Sequence, residues 1–260
     1  MTADRERSLR LFHVSDLHFG KEDRAALAWF AGRVQVERPD GVVVSGDLTM
    51  RARHREFAAA QQWLNALAAP VVVGIGNHDL PYFNPLERIA TPYRRFRKLA
   101  ENVGRKEAAR ELGIVFLKTT ARWQWRRLNW SKGRVTQAAL KRSLAQLDAL
   151  PRGARAIVCA HHPLAEPGTA GTAHTTRGPA ALDALARRGI IAVLSGHVHD
   201  PFDMTVDTVS GPVRMIGAGT LSERLRDTPP SFKELTLEGG ELSNRVREME
   251  YPNEKPAGAE

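Results

Sequence analysis

Apolar residues fall in short continuous runs along this chain, and a polar cluster follows nearly every run. Leu9 to Val14 reads as a buried strand ending at Ser15-Asp16. Ala25 to Arg38 has Leu27, Phe30 and Val34 on one helical stripe, and Pro39-Asp40-Gly41 breaks it. Val42 to Ser45 is too apolar for a half-exposed strand and reads as central. A second amphipathic helix from Arg55 carries Phe57, Ala60, Leu64 and Leu67, and Pro70 opens a third strand, Val71 to Ile75. This alternation predicts an α/β sheet with parallel central strands.

The later pattern is less regular. Pro81 to Lys98 reads as loop and then helix, rich in Pro, Tyr, Phe and Arg. Strands are expected at Ile114–Leu117, Ile157–Cys159, Ile190–Leu194, Val213–Ile216 and Phe232–Leu237, with a weaker one at Arg245–Glu250. Thr136 to Leu150 reads as a helix with Thr136 as N-cap, and Pro179 to Arg188 as another. Residues 1–251 are expected to form one domain and residues 252–260 a disordered tail.

Charge adds a feature that the pattern does not. Of the formal net charge of +9, the stretch Arg94 to Arg142 contributes +12, so the remainder is slightly acidic. Such a segment attracts phosphates, nucleic acid or acidic headgroups, or simply forms a solvated arginine-rich face. No appended DNA-binding module is visible. The single cysteine, Cys159, excludes an internal disulfide and reads as a buried structural thiol. With no secretory h-region or membrane-length run, the sequence predicts a cytoplasmic protein.

Five polar clusters sit at the exits of apolar runs: Asp16-Leu17-His18, Gly46-Asp47, Gly76-Asn77-His78-Asp79, His161-His162-Pro163 and Gly196-His197-Val198-His199. Strand exits converge on one edge of an α/β sheet, where ligand sites gather. The i, i+2 spacing of Asp16 with His18, and of His197 with His199, lets each pair face the same way. Oxygen and imidazole donors without thiolate suit Mn, Fe or Zn rather than an all-oxygen calcium site. Each cluster alone is a common turn or strand end; five in this order are not.

Their order and residue types resemble the calcineurin-like metallophosphoesterases, over residues 9 to 220. The resemblance implies a four-layer α-β-β-α sandwich of two mixed β-sheets flanked by helices. It also implies two divalent or mixed-valence transition metals. One would take Asp16, His18, Asp47 and His199, and the other Asp47, Asn77, His161 and His197. Two cations about 3.5–4 Å apart activate a bridging water and clamp phosphate oxygens. His78 is then the phosphate contact and general acid, with Asp79 expected to orient it. His161 is preferred to His162 as ligand because the family places the ligand two residues before the proline. His162 would be a neighbour of the metals or substrate. His13 reads as a core histidine, His54 as a solvent-facing one and His174 as a loop residue.

The substrate is a small anionic phosphoester, and the resemblance favours a 3′,5′-cyclic nucleotide. Arg51, Arg53 or basic residues near Arg94 would contact it, and an aromatic from Trp123–Trp130 would stack on the base. Trp123 and Trp125 read equally well as core. The rival is a UDP-2,3-diacylglucosamine pyrophosphatase-like enzyme, peripheral to the inner membrane face through that basic Trp-containing segment. Gly-Asn-His-Asp, where that family often has Gly-Asn-Arg-Asp, favours the nucleotide. A third enzyme reading is a nuclease, which the net charge permits, and a different class is a non-catalytic binding module on the same fold.

Overall fold

The computed structural model describes residues 8–103, 112–121 and 131–251. In chain order the elements are β1 (Leu9–Val14), α1 (Arg24–Glu37), β2 (Gly41–Val44), α2 (His54–Ala66), β3 (Val71–Val73), a 3₁₀ turn (Asn77–Asp79), α3 (Pro85–Ala90), α4 (Arg94–Asn102) and β4 (Leu112–Phe116). There follow β5 (Gly133–Arg134), α5 (Gln137–Asp148), β6 (Arg155–Cys159), β7 (Thr175–Thr176), α6 (Gly178–Ala186), β8 (Ala192–Ser195), β9 (Phe202–Thr208), β10 (Gly211–Gly217), β11 (Ser231–Glu238) and β12 (Glu241–Glu248).

Two five-stranded mixed sheets form, ordered β12-β11-β1-β2-β3 and β4-β6-β8-β10-β9. In the first, β1, β2 and β3 are parallel and β11 and β12 run antiparallel to their neighbours. In the second, β4, β6, β8 and β10 are parallel and only β9 is reversed. Successive side chains alternate across each strand, which builds three apolar layers. Leu11, Val43, Ile157, Leu194, Ile216 and Leu235 meet between the sheets. Phe12, Val14, Val42 and Val44 face the other way, against Phe30 and Val34 of α1 and Phe57 and Leu64 of α2. Val158, Val193 and Met215 pack outward against Ala139 of α5 and Leu182 of α6. The expected α-β-β-α sandwich is therefore the observed one.

Local chemistry fixes the helix starts. Asp23 caps α1 by accepting from the backbone N–H groups of Ala25 and Ala26, and Thr136 caps α5 through Ala139 N. The Phe232 ring packs tilted against Phe12 and edge-on against Phe30, centroids 4.7 and 5.0 Å away, tying β11 to the outer helix layer. Among the described residues no helix is long and apolar enough to cross a membrane.

Candidate metal centre

The parallel strands of both sheets end on the same edge, and every predicted ligand lies just past one of those ends. Asp16 and His18 follow β1, Asp47 follows β2 and Asn77 follows β3; His161 follows β6, and His197 and His199 follow β8. The two sheets are stitched together there. Ser15 bridges Thr220, beyond the end of β10, and the Thr220 hydroxyl donates to Asp16 O at 2.7 Å.

Each carboxylate is held by the backbone of a facing loop. His197 N donates to Asp16 Oδ2 at 2.8 Å, and His78 N donates to Asp47 Oδ1 at 2.7 Å. The second oxygen of each then faces imidazole nitrogens. Asp16 Oδ1 lies 3.2 Å from His199 Nε2 and 3.6 Å from His18 Nε2. Asp47 Oδ2 lies 3.2 Å from His161 Nε2 and 3.9 Å from His18 Nε2. The His197 ring stands with His161, centroids 5.4 Å apart. Asp47 thus sits between the two groups of donors, where a shared ligand belongs.

This approach is bought with backbone strain. Asp16, His18, Asp47, His197 and His199 all have positive φ, from 46° to 71°, and they make up five of the eight non-glycine residues with that conformation among the described residues. Such conformations cost about 1–3 kcal/mol each and cluster at functional sites. Two glycines permit the contact. A Cβ on Gly76 would stand 2.0 Å from Asp47 Oδ1, and one on Gly196 would stand 1.8 Å from Ser15 Oγ.

The donors are buried and poised to receive cations. Burial opposes charge on Asp16 and Asp47, but His199 beside the first and His161 beside the second hold both well below the usual carboxylate range. Burial lowers His18 to about 4 and His197 to about 3, so both imidazoles are neutral at pH 7. Burial also works against charge on His161, yet the Asp47 carboxylate raises it to about 9. Asp16 Oδ1, Asn77 Oδ1 and both ring nitrogens of His161 have no hydrogen-bond partner among the described residues. Buried polar atoms are seldom left so. Carboxylate, amide oxygen and imidazole around one strained edge fit a pair of divalent cations, which would take the place of the proton that Asp47 and Asp16 favour on His161 and His199.

His161, His162 and His197 come together in one group of imidazoles, and their hydrogen bonds differ. The Thr119 hydroxyl meets His162 Nδ1 at 2.8 Å, and His162 Nε2 donates to Ser131 O at 3.0 Å, so His162 offers no free nitrogen. His78 lies beside the cluster, its ring centroid 4.8 Å from that of His18. Its Nδ1–H donates to Met50 O at 2.7 Å, which turns Nε2 toward the site. The expectation that Asp79 orients His78 is corrected by this contact. The 3₁₀ turn directs Asp79 inward, where its carboxylate accepts from Gly76 N (2.9 Å), Thr49 N (2.9 Å) and Thr49 Oγ1 (3.0 Å). Asp79 ties the Asp47 loop to the Asn77 loop.

Of the other candidates, Arg51 and Arg53 flank the Phe83 ring, with guanidinium carbons 5.7 and 5.2 Å from its centroid. Arg94 and Arg95 are ion-paired with Glu87. His13 is buried and bonded to Ser45 Oγ at 2.9 Å, and His54 and His174 are exposed, as expected. Burial raises the Cys159 thiol, as befits a structural cysteine. The Trp123–Trp130 run lies outside the described residues. One residue is new to the site: Arg224, on the loop after β10. Its Nη1 lies 3.2 Å from His78 Nε2 and 3.3 Å from His18 Nε2, and its carbonyl accepts from His199 Nδ1 at 2.6 Å.

Residues 9–201 match the sequence profile of the calcineurin-like phosphoesterases. The chain belongs to that family. It is 38% identical, over a 92-residue alignment, to the glycerophosphodiester phosphodiesterase GpdQ of Enterobacter lignolyticus; the alignment covers 29% of this chain and a third (33%) of that protein. Its fold is similar to purple acid phosphatase PPD1 of yellow lupin (Lupinus luteus), with a TM-score of 0.64 at 12% identity. That superposition covers 93% of this chain and 52% of the lupin protein, so the chain spans about half the length of that neighbour. PhoD gives a TM-score of 0.58 at 12% identity, covering 95% of this chain and 70% of PhoD. The phosphoesterase fold and the His/Asp cluster therefore stand together on one strand edge.

Proposed function

We propose that this phosphoesterase hydrolyses a phosphodiester at a dinuclear centre, with Asp16, His18, Asp47 and His199 holding one cation and Asp47, Asn77, His161 and His197 the other. The observation that carries the reading is the pair of backbone-locked carboxylates, each presenting one bare oxygen to imidazole nitrogens. Mn, Fe or Zn suits such donors. When bound, the cations supply a nucleophile at neutral pH and neutralise charge on the phosphoryl oxygens.

The chain's own residues supply the rest. His78, held through Nδ1 by the Met50 carbonyl, directs Nε2 to the substrate side. There it gives a proton to the departing alkoxide, and the carbonyl stabilises the imidazolium that precedes transfer. Arg224 reaches the same space and neutralises a phosphoryl oxygen. Tyr82, near-parallel to the His78 ring at 6.3 Å, provides an aromatic surface on the leaving-group side.

The test is His78→Ala. Turnover of a diester with an alkoxide leaving group should fall roughly 10²- to 10⁴-fold, with both metals retained by elemental analysis. A p-nitrophenolate leaving group, which needs little protonation, should lose much less. Loss of metal from His78→Ala would overturn this division of roles, whereas Asn77→Ala should weaken one of the two cation positions.

For the substrate, the Tyr82 surface and the cations Arg51 and Arg53 support a 3′,5′-cyclic nucleotide. A second reading, a glycerophosphodiester, is supported by the likeness to GpdQ. Cyclic AMP and a glycerophosphodiester offered together to metal-loaded protein, with products followed by phosphorus NMR, distinguish them. Conversion of neither would remove both.

A further inference from the structure

Helix α3 is inside out. Its two charged residues are buried, Glu87 at 8% exposure and Arg88 at 3%, while Leu86 stands 81% and Ile89 55% exposed. The inversion has a visible cause. Asn84 caps the helix through Glu87 N, Glu87 turns inward to pair with Arg94 and Arg95, and Arg88 Nη1 donates to Pro81 O at 3.1 Å. With the polar side chains serving as the anchor, the apolar ones are left outside. Leu86 and Ile89, three residues apart, share one side of the helix, and Phe83, itself 63% exposed, comes just before the Asn84 cap. An ordinary surface helix hides that stripe.

The patch lies on the rim of the metal cleft, and arginines flank it at Phe83. Tyr82, adjacent to Phe83, packs along His78. The guanidinium groups of Arg51 and Arg53 cover the Phe83 ring. From Pro81 to Lys98 the sequence has five basic residues and one acidic one; Arg88 is buried, and Arg94 and Arg95 share Glu87 as ion-pair partner, which leaves a net positive surface.

We infer that the Phe83–Leu86–Ile89 stripe docks this protein on an anionic phospholipid bilayer. A few projecting apolar side chains flanked by the Arg51 and Arg53 guanidinium groups match an interface that offers acyl chain below and negative headgroups above. A protein partner would need a complementary patch on the order of 800 Å² per side, far broader than three side chains. Docked this way, the rim that carries His78 lies at headgroup level. The inference holds whichever phosphodiester is cleaved.

The experiment is co-sedimentation of the full chain with vesicles of phosphatidylcholine alone, or with roughly 30% phosphatidylglycerol. The chain should bind the anionic vesicles more tightly by about tenfold or more. The double variant Leu86→Ser with Ile89→Ser should lose about tenfold or more of that affinity. Its hydrolysis of soluble bis(p-nitrophenyl) phosphate should be unchanged, which shows that it is folded. As a second measurement, Leu86→Cys takes a polarity-sensitive fluorophore selectively, because Cys159 is buried. Its emission should shift to the blue on anionic vesicles. Three results would overturn the inference: no binding to anionic vesicles, binding indifferent to the double variant and to the label's position, or a dimer in light scattering that the double variant dissociates.

Discussion

Two clusters of polar groups between the sheets are handled in opposite ways. Toward the β9 and β12 edges, Lys233 Nζ donates to Asn244 Oδ1 at 3.0 Å, and Asn244 Nδ2 donates to Asp203 Oδ2 at 2.7 Å. Arg214 closes the chain with a two-pronged pair to Asp203, at 2.9 and 2.7 Å. Every link is satisfied, and none of these residues has a left-handed backbone. At the strand exits, Asp16, Asn77 and His161 carry bare atoms and five donors sit at positive φ. The first cluster is satisfied within the chain; the second leaves donors for something outside it.

That contrast is tested most severely at Asp47. Asp47→Asn keeps the shape and removes the charge that both donor groups face. Activity should fall by roughly 10³-fold, with metal lost from both positions, since no other residue is shared. The metal-free variant should nonetheless melt close to the metal-free parent, because the amide oxygen still accepts from His78 N and His161, without the carboxylate that holds its proton, becomes neutral. A clear loss of melting temperature in the absence of metal would show that Asp47 is structural first, and the contrast would collapse.

A smaller effect separates the two neighbouring histidines. His161→Ala should empty one cation position. His162→Phe should keep both metals and cost about 1–3 kcal/mol in denaturant unfolding, because it removes the acceptor of the Thr119 hydroxyl and the ring N–H that Ser131 O accepts. Arg224→Gln should raise KM, or the inhibition constant of inorganic phosphate, by roughly 10- to 100-fold. Its backbone carbonyl still holds His199, so metal content should not move.

Much of this centre was legible in the sequence because strand exits are periodic features: an apolar run stops and a Gly, Asp or His follows. What escaped was whatever acts through the backbone or arrives by a return path. Met50 orients His78 with a carbonyl, which no side-chain pattern records. Asp79 is next to His78 in sequence, but a 3₁₀ turn sends the two side chains to different partners. Arg224 belongs to no motif, and comes near His78 only because the chain beyond β10 bridges back to Ser15. Strand β9 was missed although Phe202, Met204 and Val206 alternate with polar residues, because its two aspartates read as loop. In α3 the apolar periodicity was present but pointed outward, since Glu87 and Arg88 found internal partners.

The smallest effects belong to the satisfied chain, where substitution should touch stability and leave catalysis alone. Asn244→Ala strands the Lys233 ammonium and should cost about 1–3 kcal/mol in denaturant unfolding. Lys233→Met removes the ammonium itself and fills similar volume, so it should be nearly neutral at pH 7. The two differ most sharply with pH. Burial lowers the Lys233 pKa below its unfolded value of 10.5. Between the folded pKa and 10.5 the unfolded chain therefore binds more protons, and the parent's stability gains from Lys233 as pH rises through that window. Lys233→Met has no such group, so its stability relative to the parent should decline across the same window. Parallel curves for the two proteins would mean that Lys233 is as well solvated folded as unfolded, and the paired chain would not be buried in any energetic sense.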